Sequence, residues 1–441
     1  MKKGNFNKKK EKGITLIALV VTIVILLILS GVTINMLLGE DGIIRTAQEA
    51  KNTWEGAVEN EQESIQNLVN ELNSIMNNNG GTGGDDTPEE IVDITTVTEI
   101  VQKEEGEKAK DAYGNVVVVP KGFKVVTSEA TTVPEGIVIE DANGNQFVWI
   151  PVGTVHKDSN PENDVTIKLG RYTFDETNGT PTMQQAAFAG DNPSSLNQTY
   201  EDVVTINSYY QELTIYREGT ASQGTDGLNA TAKDLEGFVQ SVEDNGGYYI
   251  ARYEASYGSG FNSEGSTATE IIGEAKPLSK VSTEVTSEDM SYITGTLWKC
   301  ISELDASIIC QNMYGNDSSV GVESDLMNSY AWDTSIVFIQ SMDEENSNYA
   351  NKKNEIETLK NTGEAGDEAC NIFDFSGNLR EYTTEYSTFI YNNIVAYCCT
   401  SRGAYYSTAP RRTYTSSRSY AMSDAIPGTS DIGFRVLIYV K

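Results

Sequence analysis

The sequence predicts an α+β domain behind an N-terminal transmembrane helix, and three observations support this fold class. The run Ile14–Leu38 has no charged residue and exceeds the roughly 20 apolar residues that cross a bilayer. From Ile91 onward, short runs rich in Val, Ile, Phe and Trp lie between Gly, Pro and Asn-Gly turns, which is typical of β-strands. Within Leu297–Tyr314, apolar residues recur at helical spacing, which predicts an α-helix.

The N-terminal segment predicts the cellular location. Several Lys residues precede the apolar run, and positive flanks hold an N-terminus in the cytoplasm. We therefore expect a single-pass protein of the cell membrane, anchored through residues 14–38, with its C-terminal domain outside the cell. A secretory signal peptide is the alternative, but its apolar core spans only about 7–15 residues.

The same segment resembles the class III leader of type IV prepilins, in which a short basic leader and a glycine precede a helix that the mature protein keeps. This resemblance implies that a prepilin peptidase cuts between Gly13 and Ile14. Such pilins carry Glu at the fifth mature position, where this chain has Ala18. The resemblance therefore implies either a minor subunit, associated with other pilin-like subunits in a pilus, or a plain membrane anchor.

Composition divides the rest of the chain. After the leader at 1–13, the apolar helix is predicted to continue as an amphipathic stalk to residue 76, with a short helix packed on the globular domain as the alternative. Residues 77–90 are rich in Gly, Asn and Asp and form a flexible linker. A β-rich connecting segment, 91–132, leads to the main domain at 133–441, in which 155–245 is predicted to be a loop-rich insertion.

Charge and residue counts exclude several kinds of site. The formal net charge of −32 argues against a nucleic-acid partner, because duplex binding depends on Lys and Arg that neutralise phosphates. The single histidine, His156, excludes centres built from several imidazoles and is predicted to lie on the surface. The five cysteines include no C-x-x-C pair, so we expect no structural zinc site.

Three sequence blocks near the C-terminal end appear in a fixed order: FDFSGNLREY, SRG and DIGFR. They resemble the C-terminal signature of the formylglycine-generating-enzyme/sulfatase-modifying family, which has a C-type-lectin-like fold. The resemblance implies a C-type-lectin-like head over residues 133–441, carried on the transmembrane or pilin-like helix. The matched positions are Asp374, Gly377, Asn378, Glu381, Arg402, Gly403, Gly433, Phe434 and Arg435.

The family resemblance does not extend to catalysis. The catalytic members of the family bind copper through two cysteines downstream of the second block. The equivalent positions in this sequence fall near Thr408 and Thr413. A hydroxyl cannot replace a thiolate as a soft copper ligand, so we predict that the chain is not an enzyme. An oxidoreductase of that family and a passive minor pilin or pseudopilin subunit are the alternatives.

The family also holds structural calcium near the first block, which implies Asn378 and Glu381 as calcium ligands; no other cofactor is expected. The alternative is that Asn378 makes a turn and that Glu381 pairs with Arg380 or Arg435.

Tyr, Ser, Thr and Arg crowd between the second and third blocks. Antibody paratopes use this composition, with Tyr for rigid contact area, Ser for adaptable hydrogen bonds and Arg for hot spots. An ordinary solvated loop is the alternative. The predicted ligand-binding residues are Tyr405, Tyr406, Ser407, Thr408, Arg411, Arg412, Tyr414, Ser416, Ser417, Ser419 and Tyr420; Thr415 and Arg418 lie among them.

This stretch resembles the variable region of diversity-generating-retroelement target proteins, which use the same C-type-lectin-like fold. The resemblance implies a surface-displayed, adhesin- or receptor-like protein with a diversified C-terminal face and an unknown protein or glycan ligand. It also implies fixed scaffold positions at Arg402, Gly403, Pro410, Gly433, Phe434 and Arg435.

Overall fold

The computed structural model describes residues 91–184, 209–212, 233–258, 276–282, 297, 301–315, 317–391, 394–406, 414–421 and 431–441. These residues all belong to one unit, Pro88–Lys441. The α-helices are α1 (Leu235–Asn245), α2 (Glu303–Tyr314) and α3 (Ser329–Met342), with 3-10 turns at Ile94–Thr96, Val133–Glu135, Pro161–Asn163, Glu344–Asn346 and Tyr349–Asn351. The strands are β1 (Val92–Asp93), β2 (Glu107–Lys110), β3 (Val116–Val119), β4 (Phe123–Val125), β5 (Val138–Asp141), β6 (Gln146–Pro151), β7 (Gly153–Val155), β8 (Val165–Ile167), β9 (Arg171–Phe174), β10 (Pro181–Gln184), β11 (Tyr209–Glu212), β12 (Gly247–Ala251), β13 (Ser256–Tyr257), β14 (Pro277–Leu278), β15 (Val322–Leu326), β16 (Glu368–Ala369), β17 (Ile372–Phe373), β18 (Arg380–Tyr391), β19 (Ile394–Arg402), β20 (Arg418–Ala421), β21 (Ile432–Phe434) and β22 (Val436–Val440).

A six-stranded antiparallel sheet in the order β15-β22-β12-β6-β5-β4 contains the fully buried side chains of Trp149, Tyr248 and Tyr249. Every residue of β12 and β22 is buried, so both faces of the sheet are covered. Tyr248 donates its hydroxyl to the Ala331 carbonyl of α3 at 2.7 Å, while Tyr249 donates to the Val118 carbonyl of β3 at 2.8 Å. Because successive side chains of a strand point to opposite faces, α3 covers one face and β3 the other.

A second sheet, in the order β11-β18-β19-β20, lies in the C-terminal part of the chain, and β21 pairs in parallel with β18. The pairing of β18 with β19 shifts register between Thr383 and Tyr386, which marks a bulge. The chain passes from β21 in this sheet to β22 in the central sheet through the single residue Arg435. This residue therefore joins the two sheets.

The predicted fold class is wrong. The described residues are mostly β-sheet, with α1, α2 and α3 as their α-helices, instead of an α+β C-type-lectin-like head on a transmembrane or pilin-like helix. Within the described ranges, none of the helices has both the length and the apolar character needed to cross a bilayer. The reason is that short strand-forming runs extend through most of the described part of the domain, where the longest helix has 14 residues. The predicted leader (1–13), transmembrane and stalk helix (14–76) and linker (77–90) lie outside the described residues.

Part of the predicted loop-rich insertion at 155–245 forms regular structure. Strands β8, β9, β10 and β11 and helix α1 lie within it, and β11 pairs with β18 of the second sheet. Helix α2 begins at Glu303, later than the predicted start at Leu297, because the Ser302 hydroxyl accepts the Asp305 amide at 3.1 Å and caps the helix there. His156 lies at the surface and its Nδ1 contacts Asp164 at 2.9 Å.

Candidate ligand-binding face

Two segments of the Tyr/Ser/Arg-rich region lie beside the same loop. The Thr415 amide donates to the Lys352 carbonyl at 3.1 Å, and the Asn354 side-chain amide donates to the Tyr405 carbonyl at 2.9 Å. The loop 352–354 therefore joins the segment that contains Tyr405 to the segment that contains Thr415. We call the half-exposed side chains of these segments the Tyr/Ser face: Tyr405, Tyr406, Tyr414, Ser416, Ser417 and Ser419.

Exposure separates this face from the residues between its members. Arg402 and Thr415 are fully buried and Arg418 is 4% exposed, whereas every member of the Tyr/Ser face keeps part of its surface in solvent. Tyr420 lies in β20, but the structure describes only its backbone and not its side chain. The other predicted binding residues, Ser407, Thr408, Arg411 and Arg412, lie outside the described residues, as do Gly13 and Ile14 of the predicted processing site.

A buried ion-pair network supports the segment that contains Thr415. Asp333 of α3 accepts Nη2 of Arg402 at 2.6 Å and also pairs with Arg418. Glu385 of β18 accepts Nη2 of Arg171 at 2.6 Å and Nε of Arg418 at 3.0 Å. All five side chains are at most 1% exposed. This network joins the insertion strand β9, helix α3 and the second sheet in one charge cluster.

The opposite charges of the network lie close enough together to change the pKa values of its members. Burial alone would raise the pKa of Asp333, but the Arg402 and Arg418 guanidiniums hold it below its ordinary value. Burial and the neighbouring Arg418 lower the pKa of Arg402, which still pairs with Asp333. Asp333 is therefore ionised at neutral pH, and the guanidiniums depend on it and on Glu385 for compensation.

Arg402 also fixes the backbone beneath the Tyr/Ser face. Its Nε donates to the Ser417 carbonyl at 3.1 Å and its Nη2 to the Ser416 carbonyl at 3.3 Å. The indole of Trp332 donates to the Thr415 carbonyl at 3.1 Å, and the Arg402 guanidinium lies 5.5 Å from the Trp332 ring centre. Because the carbonyls of three consecutive residues are held from below, their side chains are presented in a defined conformation.

The segment that contains Tyr406 rests on Asn378. The Asn378 carbonyl accepts the Tyr406 amide at 3.0 Å, and Asn378 adopts a left-handed φ of 65°. Its side chain donates to Glu254 at 2.6 Å and accepts the Lys360 amide at 2.9 Å. The preceding Gly377 has no space for a side chain, because an added Cβ would lie 2.3 Å from the Asn354 amide oxygen. The Gly-Asn pair of the first block therefore positions this part of the face.

Glu381 pairs with Arg435, which was one of the alternatives to calcium binding. Nη2 of Arg435 lies 2.7 Å from the Glu381 carboxylate, and the same guanidinium donates to the Ala251 and Phe373 carbonyls, each at 2.9 Å. Arg380 pairs with Asp431 instead.

The two predicted calcium ligands are both engaged by protein donors. The oxygens of Asn378 and Glu381 accept the hydrogen bonds described above, whereas calcium requires six to eight oxygen ligands. Among the described residues, no three or more His, Cys, Asp and Glu side chains are grouped as metal ligands. Calcium at Asn378 and Glu381 stays a prediction that these contacts do not support.

The pKa values of two carboxyl groups near Arg435 are raised. Burial, together with the charges of Asp374 and Glu381, raises the pKa of Glu254 well above its ordinary value. Burial raises the pKa of Asp374 to about 6. The Arg435 guanidinium favours the ionised carboxylates and so opposes these shifts, but burial has the larger effect on both pKa values.

Two cations lie over rings of the Tyr/Ser face. The Arg380 guanidinium is 4.6 Å from the centre of the Tyr405 ring, and the Lys353 ammonium is 5.2 Å from the centre of the Tyr414 ring. Neither cation was predicted to be a site residue. The Lys352-Lys353 pair is the only local signal for the second, and a basic pair in a loop is too common to identify a site.

The comparisons with known proteins give no family. Neither a protein-family model nor a curated protein matches this sequence. The solved crystal structure of CarF is similar to 54% of this chain over 99% of its own length, at 12% identity and a TM-score of 0.27. A TM-score this low supports no conclusion about fold or function.

Proposed function

We propose that this chain is an adhesin- or receptor-like ligand-binding protein, displayed at the cell surface, whose Tyr/Ser/Arg-rich C-terminal segment contacts the ligand. The observation that supports this proposal is the difference in solvent exposure between neighbouring side chains of the segment. Tyrosines and serines keep solvent-exposed surface, while Arg402, Thr415 and Arg418 between them are buried in a rigid support. Rigid aromatic side chains on a fixed backbone lose little conformational entropy when they bind, which suits them to recognition.

The face supplies binding groups and not an evident reaction centre. Phenol rings offer contact area, and their hydroxyls, with those of Ser416, Ser417 and Ser419, offer donors and acceptors. The charged groups beneath the face are engaged in ion pairs that hold the backbone. We therefore assign it reversible contact with a protein or glycan instead of chemistry.

We further propose that the face is diversified, as the resemblance to retroelement target proteins implies. The half-exposed positions tolerate substitution because exposed sites usually change stability by less than about 0.5 kcal/mol. The buried positions do not, because each of Arg402 and Arg418 pairs with a buried carboxylate. Diversification should therefore fall on the Tyr/Ser face and spare its supports.

Sequencing the locus from many cells tests this proposal. We expect substitutions to concentrate between Tyr386 and Met422, at codons whose template has adenine in the first two positions, with Arg402, Thr415 and Arg418 constant. A near-copy of this coding segment beside a reverse transcriptase would be the genomic counterpart. Substitutions spread evenly over 133–441 without adenine bias would contradict diversification and leave a binding protein of fixed specificity.

Display at the cell surface is tested separately. Protease added to intact cells should remove the domain while a cytoplasmic marker stays whole. Protection of the domain until the cells are lysed would contradict surface display.

A further inference from the structure

Two basic residues outside the Tyr/Ser/Arg-rich segment belong to the same surface as the Tyr/Ser face. Lys353 lies in the loop that holds both halves of the face, between the Lys352 carbonyl that binds Thr415 and the Asn354 side chain that binds Tyr405. Its ammonium lies over the Tyr414 ring, and Arg380 lies over the Tyr405 ring. The two cations are thus built into the face through its own aromatic rings.

Both cations keep capacity for a further partner. Lys353 is exposed and, within the described ranges, makes no ion pair; the nearby exposed Glu355 and Glu357 do not pair with it. Arg380 pairs with Asp431 through Nη2, but its Nε is buried without a hydrogen-bond acceptor among the described residues. A ligand at the surface cannot reach this buried atom, so Arg380 can contact a ligand only through the 17% of its side chain that stays exposed beside Tyr405.

The surrounding charge makes this location unusual. The chain carries a formal net charge of −32, so most of its surface repels an acidic partner. The Lys353 ammonium has exchanged part of its hydration for the face of the Tyr414 ring, and its other side remains open to a carboxylate. An acidic partner would therefore be repelled elsewhere and attracted here, which fixes the orientation of docking.

We propose that Lys353 and Arg380 are specificity-determining residues of the Tyr/Ser face, and that they fit it to a protein surface rich in Asp and Glu. This inference rests on the proposed function. Tyr and Arg are the residues enriched at protein–protein hot spots, which favours a protein over an anionic glycan. Because both cations lie outside the segment proposed to vary, every variant of the face would share this preference for acidic partners.

A displayed library of random peptides, selected on the full-length protein, tests the inference. Peptides retained by the wild type should be enriched in Asp and Glu relative to the unselected library. For a retained peptide, Lys353→Met should weaken binding about threefold and Lys353→Glu about tenfold, while Lys353→Arg should bind like the wild type. Lys110→Glu is the matched control, because it makes the same charge change at an exposed position in the separate β1-β2-β3 sheet.

A charge exchange gives the sharpest result. A retained peptide in which one Glu is changed to Lys should lose binding to the wild type and regain it with Lys353→Glu. Arg380→Lys keeps the charge but loses the planar guanidinium that lies over the Tyr405 ring and pairs with Asp431, so it should weaken binding while preserving its dependence on salt.

Four outcomes would overturn the inference. Peptides without acidic enrichment, or equal effects of Lys353→Glu and Lys110→Glu, would remove the charge preference and leave the proposed function standing. If the wild type selects no acidic peptides but binds a heparin column, and Lys353→Glu abolishes that binding, the site is assigned to an anionic glycan. If the wild type retains no more peptide than a variant with Tyr405, Tyr406 and Tyr414 changed to Ala, the proposed function is overturned as well.

Discussion

At the scale of single residues, Asp333 holds the face together. One carboxylate accepts Arg402 and Arg418 and also the Tyr172 amide at 2.8 Å, all in a site from which water is excluded. Its loss would leave the three buried guanidiniums of Arg171, Arg402 and Arg418 with Glu385 as the remaining carboxylate of the network, a larger cost than the ion pairs themselves contribute.

Asp333→Asn should therefore lower the free energy of unfolding by about 3–5 kcal/mol, the range for breaking a buried pair by removing one partner. Ser419→Ala is the matched control on the face above, and it should change stability by less than about 0.5 kcal/mol. Chemical denaturation of both variants measures the difference. Equal effects would mean that the network does not support the segment.

Asp325 gives a pH dependence. Burial raises its pKa from 3.8 to about 7, although the carboxylate accepts the Lys233 and Leu326 amides and the Gln311 side chain. A carboxyl whose pKa is higher in the folded chain than in the unfolded chain favours folding when protonated. Its contribution is therefore present at low pH and is lost as the pH rises from about 4 to about 7.

Asp325→Asn cannot ionise, so its stability relative to the wild type should increase between about pH 5 and pH 8. The hydrogen bond that the amide loses costs the same at both pH values and cancels in this comparison. Denaturation curves of both proteins at the two pH values give the result. A constant difference would show that Asp325 does not titrate in this range.

At the scale of elements, one glycine decides whether two turns can meet. Gly136 follows the Val133–Glu135 turn with a φ of 87°, and a Cβ added to it would lie 2.0 Å from the Cys370 carbonyl oxygen. Gly366 has a similar φ of 81° but open space around it. The two glycines thus separate the effect of conformation from the effect of contact.

Gly366→Ala should cost about 1–2 kcal/mol for the left-handed conformation alone. Gly136→Ala should cost a further 1–3 kcal/mol or so, because Val133–Glu135 and Cys370 would have to move apart. Thermal melts of the two variants compare them directly. A larger loss for Gly366→Ala would mean that the contact at Cys370 is not tight.

Local patterns predicted the elements better than their assembly. In the sequence, Asn143-Gly144 lies between two runs of strand-forming residues, which predicts a hairpin, and β5 and β6 do pair across it. The alternation of apolar residues at Phe434, Val436 and Ile438 is a pattern that predicts one final strand. The structure has two, β21 and β22, because the Arg435 side chain binds Glu381 and two carbonyls between the sheets.

The support of the face was beyond the reach of sequence patterns. Arg171 lies in a segment predicted as loop-rich insertion, and its partner Glu385 is 214 residues away. Neither residue has a local signature, because a buried ion pair is defined by two distant strands that the fold brings together. The tyrosines and serines could be predicted as binding residues because composition alone is typical of an adaptable contact surface, and their role in binding stays a prediction.

At the scale of the whole molecule, acidic self-repulsion should be visible in stability. A formal net charge of −32 destabilises any compact state of the chain through repulsion between surface carboxylates. Raising NaCl from about 0.02 M to about 0.5 M shortens the screening length several-fold, so the melting temperature should rise. Glucose at the same osmolality is the control, since it does not screen charge. A fall with salt would mean that exposed ion pairs outweigh the repulsion.

The position of β22 has a consequence during protein synthesis. This strand follows the Tyr/Ser face in the chain, yet it lies inside the central sheet, between β15 and β12. A nonsense codon or a frameshift anywhere in residues 402–421 removes it and leaves both neighbouring strands with an open edge. Folding therefore reports on the reading frame, because a domain that completes its central sheet has already translated the whole Tyr/Ser face.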